Sequence, residues 1–271
     1  MSPGKLDLRG VSLLCVETRR TALAVQAMQR CLQQADFKES LLLSPRADNL
    51  PAPLRHIEIG DISSVAEYSR FMVKQLGGSF SGSHVLVVQW DGFLTDARQW
   101  DPRLLDYDYV GAPWKDGSVG NGGFSLRSRR LVDALRAMDT PQVHPEDHCI
   151  CHRYRGELET RFGIRFAPLE LARRFSWEAI DPGHPTFGLH GLFNFHRAFG
   201  EDELIAYLDQ CDDALLHSVP ARRLLKNLYR SGMPAAARAL AARRGTGPLA
   251  MRLDTLKLCA FARLRGPAGR R

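Results

Sequence analysis

The sequence predicts an α/β fold in which helices flank a mostly parallel sheet, with a helical extension at the C-terminus. Its apolar runs are short and continuous rather than alternating, as in strands that are covered on both faces. Segments with apolar residues at helical spacing separate these runs, and this alternation indicates a mostly parallel sheet. The chain has 271 residues, of which 44% are hydrophobic and 25% charged. This composition excludes wholesale disorder, collagen and coiled coil.

Both halves of the chain supply candidate elements. Apolar runs predict strands at 11–16, 40–43, 56–59, 84–89, 107–111 and 123–126. Helical spacing predicts helices over about 22–32, 128–138 and 147–162, and one that runs to about Leu76 from a cap at Ser63 or Ser64. After about Asp202 the pattern is helical to the end. We therefore predict a domain over residues 1–200 and a helical extension over residues 201–271.

The formal charge of +7 is unevenly distributed along the chain. Residues 221–271 hold 13 of the 37 Lys and Arg and one of the 30 acids, which leaves 24 basic and 29 acidic residues elsewhere. A nucleic-acid-binding protein would interleave basic residues with aromatics over its body, whereas this body is acidic and the basic segment has only Tyr229 and Phe261. The charge therefore predicts no nucleic-acid partner.

The sequence also bears on the compartment. No run approaches the roughly 18 apolar residues of a membrane span, and the N-terminus lacks an apolar signal core, so we expect a cytoplasmic protein. Its scattered cysteines are expected to be reduced. Cys149 and Cys151, with His144, His148 and His152 nearby, resemble a metal cluster, but Cys-x-Cys lacks the usual zinc spacing.

Two segments at predicted strand ends carry possible chemistry. The tetrad Gln-Trp-Asp-Gly at 89–92 closes the strongest strand, where a carboxylate can hold a divalent cation; a plain turn has the same sequence. The segment at 120–128 is predicted to be a tight Gly-rich turn whose backbone N–H groups and Arg127 receive a sugar or phosphate, with an ordinary hairpin as the alternative. Neither a phosphate-loop nor a dinucleotide-binding pattern is present, which disfavours an ATPase or dehydrogenase.

Two further groups follow in the second half. Glu146 and Asp147 stand at a predicted helix start, where N–H groups lower a carboxylate pKa and keep a catalytic base ionised; plain helix capping is the alternative. His190 lies between two glycines, which suits a ligand on an exposed turn, although a lone histidine is usually structural. Trp114 could stack on a sugar or belong to the core.

Four runs together resemble a bacterial family of glycosyltransferase-like domains with the GT-A fold, a Rossmann-like sheet. The runs are Val-Val-Gln-Trp-Asp-Gly-Phe at 87–93, Tyr-Val-Gly-Ala-Pro-Trp at 109–114, Val-Gly-Asn-Gly-Gly-Phe-Ser-Leu-Arg-Ser at 119–128 and Pro-Glu-Asp at 145–147. The resemblance spans about residues 8–196. It implies an enzyme that transfers a sugar from a nucleotide-sugar donor.

The resemblance also implies roles for individual residues. Asp91 and His190 would bind Mn²⁺ or Mg²⁺, and Asp147, beside Glu146, would be the base. The donor nucleotide would lie near Glu17, Thr18, Tyr68, Arg70, Gln89 and Trp90. The sugar and acceptor would lie near Trp114, Asn121, Gly122, Gly123 and Arg127. The chain departs from the family pattern at Gln89, where the metal-binding Asp-x-Asp motif has its first aspartate.

The acceptor implied by this resemblance is a glycan or a lipid-linked glycan of a cell-surface polysaccharide. Two alternatives stay open: a metal-dependent nucleotidyltransferase or phosphohydrolase, and a non-catalytic nucleic-acid-binding protein. In the basic segment, leucines interleave with Arg and Lys, which predicts peripheral docking on anionic membrane at its inner face through residues 221–271. The leucines are Leu224, Leu225, Leu228, Leu253, Leu256 and Leu258. The alternative is a helical cap with a solvated basic face.

Overall fold

A computed structural model describes residues 4–265, with side chains described up to residue 261. The chain divides into two compact units, Met1–His190 and Gly191–Arg271. The boundary that the sequence predicts between the domain and the helical extension, after residue 200, stays a prediction.

The described part of the first unit contains nine strands. They are β1 (Leu6–Val16), β2 (Ala35–Ser44), β3 (Leu54–Glu58), β4 (His84–Val88), β5 (Gly92–Leu94), β6 (Tyr109–Pro113), β7 (Val119–Ser128), β8 (Ser176–Trp177) and β9 (Gly188–His190). Six of them form one sheet in the order β3-β2-β1-β4-β7-β6. The first four strands in this order pair in parallel, whereas β7 is antiparallel to both β4 and β6. The predicted mostly parallel sheet is thus confirmed.

With the exception of the last, the helices of the first unit lie in the predicted segments. They are α1 (Thr21–Gln34), α2 (Val65–Lys74), α3 (Arg129–Ala137), α4 (Glu146–His148), α5 (Arg155–Phe162) and α6 (Leu169–Phe175). The side chains of Ser64 and Ser128 cap α2 and α3 by accepting the backbone N–H of the third residue beyond them. The continuous helix predicted over 147–162 is wrong, because a π-helical turn at Cys149–Arg153 separates α4 from α5.

Both faces of the sheet are covered. Leu14, Leu41 and Val85 belong to a buried cluster with Phe71 and Met72 of α2. Successive side chains of a strand point to opposite faces of the sheet. The neighbouring positions Leu13, Cys15 and Leu42 therefore lie on the other face, and they are also buried. Helix α1 contacts β1 and β2 and buries its own apolar side. Continuous apolar runs therefore marked strands that are buried on both faces.

Gly120–Gly123 form the first half of β7 and not the predicted tight turn. The chain reverses earlier, where Trp114 N–H donates to the Ser118 carbonyl at 2.8 Å. Strands β6 and β7 then pair as an antiparallel hairpin, the alternative that the sequence left open. Because Val88 pairs with Phe124, the residues just before Phe124 lie at the carboxyl end of β4.

A second sheet of three short strands, in the order β5-β9-β8, completes the described part of this unit. Its register pairs Gly92 with His190, and Ser176 and Trp177 with Gly188 and Leu189. This register brings two distant parts of the sequence beside residues 89–91.

The described part of the second unit is helical, as the sequence predicts after about Asp202. Its helices are α7 (Glu201–Asp209), α8 (Asp213–Leu216), α9 (Val219–Arg230), α10 (Pro234–Arg244) and α11 (Leu249–Arg265). Leu224, Leu225 and Leu228 of α9 are fully buried. None of the described helices combines the length and the apolar character needed to cross a bilayer.

Candidate functional site

A cavity of about 480 Å³ opens at the carboxyl ends of β1 and β4. These strands are parallel neighbours that pair Cys15 with Val88, so the polar segments that follow them meet at one edge of the sheet. Five residues that the sequence assigned to donor binding line this cavity: Glu17, Thr18, Tyr68, Gln89 and Trp90. Arg70 is exposed on α2 and is not among the lining residues.

The wall formed by residues 17–20 is held in place by its own hydrogen bonds. Glu17 Oε1 accepts the backbone N–H of Arg19 at 2.7 Å and that of Arg20 at 2.9 Å. The Thr18 hydroxyl donates to the Ile62 carbonyl at 3.1 Å. The Arg20 guanidinium lies over the ring of Trp90 at 5.6 Å from its centroid. Glu17 therefore shapes the loop that presents two arginines to the cavity.

The first turn of α2 forms the facing wall. Ser63, Ser64 and Val65 line the cavity at the N-terminus of this helix, which carries a partial positive charge. Arg19 and Arg20 add positive charge to the same cavity. These two arginines were not among the residues predicted from the sequence, although their position directly after a strand was a usable signal. The cavity is therefore suited to an anionic ligand.

Beside the cavity, His190 lies between two carboxylates. Its Nε2 is 3.2 Å from Asp91 Oδ1 and its Nδ1 is 3.3 Å from Glu178 Oε1. The Gln89 Oε1 atom lies 3.1 Å from the same Nε2. Burial by itself lowers the pKa of His190, but Asp91 and Glu178 outweigh this effect and hold the pKa well above its usual value. Glu178 was not predicted from the sequence.

The donor atoms at this place fit a hard divalent cation in part. Asp91 offers carboxylate oxygens, and His190 Nε2 faces the same side. Among residues 4–265, no group of three or more His, Cys, Asp and Glu side chains is arranged to hold a metal ion. A cation here would therefore need oxygen ligands of another kind, such as the phosphates of a substrate.

The glycines of β7 are required by close packing. A Cβ atom at Gly123 would overlap the His190 ring, and one at Gly122 would overlap Glu146 Oε1. Asn121 Oδ1 accepts the Gly123 N–H at 3.1 Å. The two glycines thus allow His190 and Glu146 to approach consecutive residues of one strand.

Arg127 lies inside the protein, with no exposed surface. Its Nη2 donates to Glu146 Oε1 at 2.7 Å and its Nε donates to the Ser125 hydroxyl at 3.0 Å. Its buried Nη1 has no hydrogen-bond partner among the described residues. Although burial disfavours the charge, Tyr109 and Glu146 raise the pKa of Arg127. Arg127 thus anchors Glu146 rather than facing open space.

In the acid pair, the pKa of Asp147 is shifted in the direction opposite to the one expected from the sequence. Burial, and next the carboxylate of Glu146, raise the pKa of Asp147, although the His148 N–H donates to Asp147 Oδ1 at 2.8 Å and lowers it. The expected lowering of this pKa by helix N–H groups is therefore wrong. α4 has only three residues, and its single bond to the carboxylate does not compensate for lost hydration.

Tyr68 connects the acid pair with the His190 cluster. Gln89 Nε2 donates to the Tyr68 hydroxyl at 3.0 Å. Burial, and next the carboxylate of Glu146, raise the pKa of Tyr68. Through Gln89, the hydroxyl of Tyr68 is thus connected to His190, and both Tyr68 and Gln89 line the cavity.

Trp114 stacks on two histidines next to Asp147. Its ring centroid lies 4.9 Å from that of His148 and 4.7 Å from that of His152. Both histidines are exposed and Trp114 is partly exposed. The nearby Cys149 and Cys151 are instead buried in a hydrophobic cluster, so the cysteines and histidines of this segment do not converge on one point.

A family model described as "Protein of unknown function (DUF5672)" matches residues 53–190. The chain belongs to this family. The DUF5672 match ends at His190 and includes residues 89–91, Arg127 and the acid pair, whereas β1 and residues 17–20 precede it. No curated protein matches the chain significantly.

Solved structures of glycosyltransferases are similar to the chain at low sequence identity. The mannosyltransferase PcManGT from Pyrobaculum calidifontis, in complex with GDP-Man and Mn²⁺, is 12% identical with a TM-score of 0.40, covering 93% of this chain and 80% of its own. The galactosyltransferase LgtC, in complex with donor and acceptor sugar analogs, is 13% identical with a TM-score of 0.42, covering 90% and 99%. The glycosyltransferase GlyE of Streptococcus pneumoniae TIGR4 is 10% identical with a TM-score of 0.41, covering 74% and 56%. At these scores the similarity carries no argument about activity.

Proposed function

We propose that this DUF5672 chain is a glycosyltransferase of the GT-A type that uses a nucleotide-sugar donor. The observation that carries the proposal is the cavity at the carboxyl ends of β1 and β4. Its lining includes Gln89, which contacts His190, and Trp90, which directly precedes Asp91. A volume of about 480 Å³ suits a ligand of nucleotide size. Open α/β sheets bind their ligands at this edge.

Different residues of the cavity are suited to different parts of the donor. Trp90 offers a flat ring for the nucleobase or a sugar. Arg19, Arg20 and the N-terminus of α2 favour the negative charge of a diphosphate. Glu17 acts by fixing the loop that carries the arginines, since it accepts both of their backbone N–H groups.

Asp91 and His190 are the residues that would hold Mn²⁺ or Mg²⁺. The cation would supply positive charge to the departing nucleoside diphosphate. Their own contribution is to fix two donor atoms 3.2 Å apart beside the cavity. Gly123 supports this geometry because it leaves room for the His190 ring.

Asp147 is the group proposed to accept the proton of the acceptor hydroxyl as that hydroxyl attacks the anomeric carbon. Burial and Glu146 raise its pKa, which makes its carboxylate a stronger base than an exposed aspartate. Glu146 is held by Arg127 and accepts the Asp147 N–H at 2.9 Å, so it positions the base. Trp114, stacked with His148 and His152, is proposed to border the acceptor, a glycan or lipid-linked glycan.

Binding of nucleotide sugars tests this function directly. We expect UDP- or GDP-sugars to raise the thermal unfolding midpoint, with and without Mn²⁺, because a ligand at 100 times its Kd stabilises a protein by about 2.7 kcal/mol. Trp90→Ala should abolish the shift, while Leu105→Ser, a change of an exposed side chain outside the cavity, should retain it. A panel without any shift contradicts the proposal. Shifts with nucleoside triphosphates alone would instead favour a nucleotidyltransferase or phosphohydrolase.

We further propose that α11 docks on anionic membrane. Leu249, Leu253 and Leu256 share one side of this helix and are 67%, 49% and 65% exposed, and Arg252 and Lys257 are also exposed. Residues 221–271 carry 13 basic residues and one acid, and each basic residue near such a surface contributes about 1 kcal/mol. The docking expected of Leu224, Leu225 and Leu228 is wrong, because these side chains are buried.

Vesicle sedimentation tests the docking of α11. We expect the full chain to sediment with phosphatidylglycerol vesicles but not with phosphatidylcholine vesicles. The double variant Leu253→Ser/Leu256→Ser should lose most of this binding because both side chains are exposed on α11, whereas Leu105→Ser should not. Equal sedimentation of the double variant and the unmodified chain would refute the proposal.

A further inference from the structure

We propose that Gln89 supplies a third protein ligand to a divalent cation held by Asp91 and His190, and that Glu178 keeps His190 in the ligating orientation. The inference rests on the proposed function, in which the cation would serve the donor diphosphate. Gln89 stands where the metal-binding Asp-x-Asp motif has its first aspartate.

Two side-chain oxygens converge on one ring nitrogen. Gln89 Oε1 lies 3.1 Å and Asp91 Oδ1 lies 3.2 Å from His190 Nε2. Ligands at right angles on one cation, each about 2.1 Å from it, are about 3 Å apart. Each oxygen therefore lies at a distance from the ring nitrogen that one cation can bridge after small movements.

The amide of Gln89 is held with its oxygen toward His190. Its Nε2 donates to the Tyr68 hydroxyl at 3.0 Å, which uses the nitrogen side of the amide and leaves Oε1 for the cluster. Amide oxygens are ligands that hard cations accept together with carboxylates. A neutral oxygen here adds a ligand without adding a second negative charge beside Asp91.

Glu178 lies beside the other nitrogen of the ring, at ion-pair distance. Its Oε1 is 3.3 Å from Nδ1, and the two side chains are 17% and 14% exposed. A carboxylate that accepts the proton of one ring nitrogen fixes the tautomer in which the other nitrogen can ligate. The register of β8 and β9, which pairs Trp177 with Leu189, explains the approach because Glu178 and His190 are the next residues.

The Mn²⁺ affinity of the full chain tests the ligand role of Gln89. Free Mn²⁺ is measured by electron paramagnetic resonance during titration, alone and with UDP or GDP. Gln89→Ala should weaken binding about tenfold or more, and the nearly isosteric Gln89→Glu should tighten it about tenfold through its added charge. Gln99→Ala is the matched control, because that amide bonds to Asp96 Oδ2 at 3.2 Å.

The same titration tests the positioning role of Glu178. Glu178→Ala should weaken Mn²⁺ binding by about 10- to 100-fold. Glu178→Gln should restore most of the affinity, because its amide oxygen can accept the Nδ1 proton. A purely structural role would lower the thermal unfolding midpoint of both variants without separating their Mn²⁺ affinities.

Two results would overturn the inference. One is a Kd within twofold of the unmodified chain for both Gln89 variants, with circular dichroism showing that they fold. The other is no Mn²⁺ binding by the unmodified chain in any mixture. In the second case the shifts with nucleotide sugars in metal-free buffer still test the proposed function, so the two failures are distinguishable.

Discussion

Replacing Asp147 by Asn is expected to lower the rate of sugar transfer by about 10²- to 10⁴-fold, the usual contribution of a general base. The amide keeps the size of the carboxylate but cannot take up the proton of the acceptor hydroxyl. The assay follows nucleoside diphosphate release with whichever donor raises the unfolding midpoint. The acid limb of the pH dependence of kcat/KM should give an apparent pKa above the ordinary pKa of an aspartate. The reason is that burial and Glu146 raise the pKa of Asp147.

Loss of folding is not expected to explain that result. A folded-state pKa above the unfolded value means that folding favours protonated Asp147, so this stabilisation is present at low pH and is lost as pH rises through the folded-state pKa. At neutral pH the neutral Asp147→Asn variant should be at least as stable as the unmodified chain. Asp133→Asn, on the exposed part of α3, is the control. A wild-type rate for folded Asp147→Asn would exclude the base assignment.

Replacing Arg127 by Met is expected to lower the free energy of unfolding by about 3–5 kcal/mol, the typical effect of leaving a buried charge without its partner. Arg127 is 0% and Glu146 8% exposed, so water cannot take over the lost bond at 2.7 Å. Urea unfolding followed by circular dichroism measures the change.

Two comparisons show whether the unpaired charge causes that loss. Arg161→Met removes one partner of an exposed pair with Glu157 and should cost at most about 0.5 kcal/mol. Arg127→Met combined with Glu146→Leu removes both charges and should recover much of the stability. If Arg127→Met lowers the free energy of unfolding no more than Arg161→Met does, the unpaired charge of Glu146 does not destabilise the protein.

Local patterns allowed most of the fold to be predicted. The runs around Leu14, Leu42 and Leu86 are mostly continuous rather than alternating in apolar residues because both faces of the sheet are covered. The cap of α2 could also be predicted, because a serine just before a helix can accept a free backbone N–H of the first turn. Gly122 and Gly123 misled the prediction, since glycine is typical of turns but here makes room for side chains from other elements.

The candidate site was only partly predictable. Glu17, Thr18, Gln89 and Trp90 could be predicted because each follows a strand, and parallel neighbours end at the same edge of a sheet. Arg70 is one residue of a helix face, and its spacing does not reveal that it lies outside the lining of the cavity.

The sequence by itself determined the α/β class, the chain order of the six main-sheet strands, and the separate basic segment, because these depend on periodicity and composition within short windows. Only the tertiary structure decided that Glu178 joins Asp91 and His190, that Arg127 is buried against Glu146, and that the pKa of Asp147 is raised. The physical reason is that contacts and hydration depend on residues distant in the chain. Gln89, a departure from a motif in the sequence, becomes a possible ligand only beside His190.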